Sequence, residues 1–69
     1  MKISARNVLN GTVKQVKPGP VNAEVVVELS GGAQVVSVIT RESAEALSLA
    51  AGKGVYAVIK ASNVMIAVD

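Results

Sequence analysis

The sequence holds no cysteine, no histidine, no phenylalanine and no tryptophan, and Tyr56 is its one aromatic residue. Each absence removes something. Without cysteine there is no disulfide and no thiolate metal site; without histidine a zinc-type centre would need carboxylates alone. Catalysis lacks a constellation: Glu24 and Glu28 share a strand face, but no histidine, cysteine or other nucleophile accompanies them, so no catalytic residues are assigned. Scarcity of aromatics also counts against a single-stranded nucleic-acid surface, where bases stack on aromatic rings. The seven basic residues (Lys2, Arg6, Lys14, Lys17, Arg41, Lys53, Lys60) are spread along the chain rather than gathered. No apolar run approaches the ~20 residues of a membrane span. Residues 1–10 lack the apolar centre of a secretory leader, so a cytoplasmic location is expected.

What is present is small and branched. Apolar residues make up 51% of the 69 positions, supplied by Val, Ala, Ile and Leu. A chain this short seldom buries enough surface to be stable alone. With disulfides and thiolate metals unavailable, assembly with further copies is the remaining remedy. A net charge of +2 would then be multiplied over the copies.

Turn residues punctuate the chain regularly, as in an all-β barrel or sandwich. A first strand is expected from about Ile3 to Val16, with Gly11 inviting a bend or bulge, and Pro18-Gly19-Pro20 stops it. A second, about Val21 to Leu29, sets Val25, Val27 and Leu29 on one face and Glu24, Val26 and Glu28 on the other. Ser30-Gly31-Gly32 is a hairpin turn. The third strand, about Ala33 to Thr40, is apolar on both faces, which implies a second buried surface. From Arg41 to Ser48 the composition turns helical. Thr40 is suited to cap it, Glu42 lies in its first turn, and Ala44 and Leu47 form an apolar stripe. Two further strands follow, about Val55 to Ala61 and Asn63 to Val68. The order β-β-β-α-β-β is that of a five-stranded, OB-fold-like Greek-key barrel: all-β with one short helix, occupying residues 1–69 as one domain.

Two short segments carry the chemistry. Ser4-Ala5-Arg6-Asn7 and Ile59-Lys60-Ala61-Ser62 offer a guanidinium, an ammonium and two hydroxyls, with no carboxylate among them. Such groups donate hydrogen bonds and attract negative charge, which suits a small anion. Lys60 sits in an apolar stretch, where it serves either as an edge-strand gatekeeper or as a ligand. Gly52-Lys53-Gly54 is no phosphate loop, because the flanking pattern of that motif is missing.

Ser4-Ala5-Arg6-Asn7 with Leu9, Gly11 and Val13, then Val21-Asn22-Ala23-Glu24-Val25, Ile39-Thr40 and Ala57 to Ile66, resembles the molbindins, the small molybdate-binding Mop proteins. The resemblance spans nearly the whole chain. It implies an OB-like barrel assembled as a hexamer, a trimer of dimers, with molybdate or tungstate held between subunits and no cofactor. It further implies one kind of site with Ser4, Arg6, Lys60 and Ala61, completed by Thr40 of an adjacent subunit, and a second kind around Val21, Asn22 and Ser62. Where relatives have a hydroxyl after the lysine, Ala61 offers only its backbone N–H. The function so implied is storage and homeostasis of molybdenum. An OB-fold nucleic-acid binder and an oxyanion-sensing regulatory module are the alternatives.

Overall fold

The computed structural model describes all 69 residues. Four strands, β1 (Asn7–Pro18), β2 (Asn22–Leu29), β3 (Gln34–Thr40) and β4 (Gly54–Ile59), and one helix, α1 (Arg41–Ala46), are followed by a 3-10 turn over Ala61–Asn63. The strands form one antiparallel sheet in the order β3-β2-β1-β4.

β1 organises the sheet. Its first half, Asn7 to Thr12, pairs with β4, and its second half, from Gly11 to Pro18, pairs with β2. Gly11 lies where the two pairings overlap. A Cβ there would meet Val27 Cγ1 at 2.5 Å, the Glu28 carbonyl oxygen at 2.9 Å and Leu29 Cδ2 at 3.2 Å. Gly11 therefore serves close approach of β2, while the bulge expected near it falls between Val13 and Gln15. Gly11→Ala should lower stability by about 1–3 kcal/mol through overpacking. Urea unfolding at fixed protomer concentration would read this as a lower midpoint, and an unchanged midpoint would contradict the packing.

The inward face carries the core. Val13, Val25 and Val27 are buried, with Val16, Leu29, Ile39, Leu49 and Val55 packed against them. Only five residues of the chain are fully buried, Ala23 and Ala44 being the others. The core is thus confined to the middle of the sheet. The Gly31 and Gly32 turn has φ of 92° and 94°, backbone that glycine adopts at low steric cost.

Thr40 caps α1 as expected, its Oγ1 accepting from the Ser43 N–H at 3.0 Å. At the other end Ser48 takes the left-handed conformation, φ 53°, and the Ser48 and Leu49 amides bond back to the Glu45 and Ala44 carbonyls. Lys53 Nζ donates to the Leu47 carbonyl at 2.5 Å and lies 3.4 Å from that of Ser48. The lysine of Gly52-Lys53-Gly54 thus closes a helix. Leu47, expected on the apolar stripe, is exposed, because the helix ends after Ala46.

Two further expectations are corrected. β1 starts at Asn7 rather than Ile3. The fifth strand, residues 63–68, does not form within the chain: Asn63 closes the 3-10 turn and Val64 to Asp69 pair with no strand. Val64 is extended, and Met65, Ile66 and Val68 are 92%, 86% and 92% exposed. The apolar alternation suits a strand, but a strand needs an edge to bond, and this segment lies against none in its own chain.

Candidate functional site

The two donor segments meet. Arg6 directly precedes β1 and Lys60 directly follows β4, and the last rung of that ladder joins Asn7 to Ile59. Ser4, Arg6, Lys60, Ala61 and Ser62 therefore line one open cleft of about 560 Å³, walled by Ile3, Ala5 and Val58. Ser4 and Arg6 lie in the segment before β1 rather than on the strand.

Every polar side chain of this cleft is available. Neither Arg6 nor Lys60 makes an ion pair; the two ion pairs of the molecule are Lys14 with Glu28 at 3.6 Å and Arg41 with Glu45 at 3.1 Å. None of the internal side-chain hydrogen bonds uses Ser4, Arg6, Lys60 or Ser62. Ala61 and Ser62 open the 3-10 turn, so their N–H groups have no acceptor inside it. The cleft thus offers two cations, two hydroxyls and two main-chain donors, with no carboxylate in its lining. A group fitting it would be anionic and rich in acceptors.

Thr40, Val21 and Asn22 stand elsewhere. Asn22 at the start of β2 pairs with Thr40 at the end of β3, and both adjoin the C-terminal end of β1, where Pro18 pairs with Ala23. The donor cleft lies at the N-terminal end of the same strand. β1 is the longest strand of the sheet, with twelve residues, and the two regions lie at its opposite ends. One chain's Thr40 therefore lines a different cleft from that chain's own donors. Within one chain Ser62 lies with Lys60 in the donor cleft, while Val21 and Asn22 stand at the other end of β1.

The surroundings of Thr40 differ in charge. Val21 and Thr40 line a cleft of about 400 Å³ with Pro20, Arg41, Glu42 and Glu45. Arg41 is engaged there, with Glu45 and with the Gly19 carbonyl at 3.4 Å. The Thr40 hydroxyl is engaged too, donating to Ser43 Oγ at 2.7 Å. With two carboxylates against one cation, this region is a poor anion site by itself.

Known proteins share the sequence pattern and the fold of this chain. Residues 3–66 match the TOBE domain family. Molybdenum-pterin-binding protein 3 of Clostridium pasteurianum is 52% identical over 66 residues, covering 96% of this chain and 97% of that protein. The structure of MopII from Clostridium pasteurianum superposes with a TM-score of 0.92 at 45% identity, over 97% of this chain and 100% of that one. ModG, described as a cytoplasmic molybdate-binding protein and seen with molybdate bound, gives a TM-score of 0.91 at 49% identity. The match covers 94% of this chain and 46% of ModG.

Proposed function

Because this chain belongs to the TOBE domain family and, within it, to the molbindins or Mop proteins, we propose that it binds molybdate reversibly, without catalysis. The observation that carries this reading is the cleft of unpaired donors at the joint of β1 and β4, with two cations and no carboxylate. Molybdate at neutral pH is a tetrahedral dianion that accepts hydrogen bonds and donates none. One charge from Arg6 and one from Lys60 match its two. Ser4 and the Ala61 amide supply neutral donors, and Ser62 adds a hydroxyl. Tungstate, with the same charge and shape, is expected to compete for the site.

The cleft is open on one side, and Thr40 stands at the far end of β1. We read the complete site as shared between copies, with Thr40 arriving from a neighbour and a second site near Val21 and Asn22 that also needs a neighbour's donors. Three features support assembly. The core is small, the tail Val64 to Val68 is apolar and unpaired, and β3 and β4 each have a free edge. In this reading the fifth strand forms only between copies and closes the OB-like barrel, and a hexamer built as a trimer of dimers is the expected form. Bound ligand would stabilise that form by mass action.

Selection of molybdate over sulfate, a dianion of equal charge and shape, must rest on size, which donors held at a fixed separation can measure. No helix is long and apolar enough to cross a membrane. The description of ModG as cytoplasmic supports the reading of this chain as a cytoplasmic store or buffer of molybdenum. Calorimetric titration with molybdate, repeated in excess sulfate, tests the proposal. Binding that survives sulfate is expected. Absence of heat, or its loss in sulfate, would overturn the assignment.

A further inference from the structure

Asn7 is a polar residue on the inward side of the sheet, and neither the fold nor the binding chemistry has yet required it. Asn7 and its rung partner Ile59 are both half-buried, whereas Val8 and Val58 on the next rung face outward. Its side-chain amide Nδ2 donates to the Ile59 carbonyl at 3.3 Å. No other side chain bonds β1 to β4.

Immediately beyond this rung stand Arg6 on one strand and Lys60 on the other. Two like charges at the open end of an antiparallel pair repel and tend to splay it. No carboxylate lies between them to relieve this. The main-chain ladder ends at Asn7 and Ile59, so the Asn7 amide is the last bond resisting the splay.

We propose that Asn7 is a positioning residue: its side-chain bond to the Ile59 carbonyl fixes the gap between Arg6 and Lys60, and thereby the size of tetrahedral oxyanion the cleft accepts. The inference rests on the binding reading above and adds the element that sets its selectivity. Asn7 touches no ligand in this scheme and acts only through the two cations.

The test compares wild-type protein with Asn7→Leu, titrating each with molybdate and with sulfate. Molybdate affinity should fall about tenfold, a typical loss when a residue that orients a ligand-holding group is removed, and the ratio of molybdate to sulfate affinity should fall with it. A purely structural role would weaken both anions equally, so equal losses would overturn the proposal, as would an unchanged ratio. Asn7→Ala provides the same reading if the leucine variant does not fold. Failure of wild-type protein to take up molybdate would overturn the binding reading itself. Wild-type uptake with full selectivity in both Asn7 variants would overturn only the role of Asn7.

Discussion

Replacing Arg6 and Lys60 together with alanine is expected to abolish molybdate uptake, and either replacement alone should weaken it about tenfold to a hundredfold. Hydrogen bonds to charged groups contribute about 1.5–3 kcal/mol each, and every 1.4 kcal/mol is about tenfold in affinity. Both side chains are solvent-exposed in the single chain, which places the lower figure on whichever remains exposed after assembly. Arg6→Lys should fall between, keeping the charge but losing the planar fork that engages two oxygens at once. Neither side chain takes part in an internal hydrogen bond or ion pair. Circular dichroism should therefore be unchanged. Equilibrium dialysis with molybdate decides the matter, and undiminished uptake by both single variants would move the site elsewhere.

Placing charge in the C-terminal segment should have an effect of similar size on assembly. The variant Ile66→Asp with Val68→Asp is expected to sediment as dispersed chains where wild-type protein sediments as an oligomer. Burying a side chain of this kind contributes about 1.5–3 kcal/mol, and a closed assembly repeats the contact in every copy. Burying an unpaired carboxylate instead is strongly unfavourable. Molybdate binding should weaken along with assembly, since Thr40 would no longer be delivered to the cleft. Wild-type protein sedimenting as a compact single chain, or an aspartate variant that stays assembled, would refute the interface.

Much of this molecule was legible beforehand, for identifiable reasons. The second and third strands are valine-rich runs separated by paired glycines, and they lie within a residue or two of their expected limits. Thr40 declares its helix because a β-region threonine ahead of a helical composition has an N–H to cap. The fifth strand misled because alternation reports a suitable segment but says nothing about whose edge it will bond. Gly11 misled in the opposite sense. A glycine within a strand is compatible with a bulge or with close approach, and only the β2 register distinguishes them. Ser4, Arg6, Lys60 and Ala61 lie together in one cleft because both donor segments flank strands that pair. The separation of Thr40 from them follows from the length of β1, which no local pattern reveals. Asn7 stood inside the quoted segment unassigned, since an asparagine next to an arginine gives no hint of facing inward.

The unpaired tail also bears on how long a copy lasts. Val64 to Val68 is apolar and exposed, with no strand pairing along it. Exposed segments that are not tied down are where proteases cut. An unassociated copy thus presents an exposed apolar segment that the proposed assembly would bury. If the proposed assembly forms, chains at low expression would be open to clearance and those above the association threshold would be protected. Lifetime in the cell should then rise with concentration and with oxyanion supply, as measured by a chase at two expression levels.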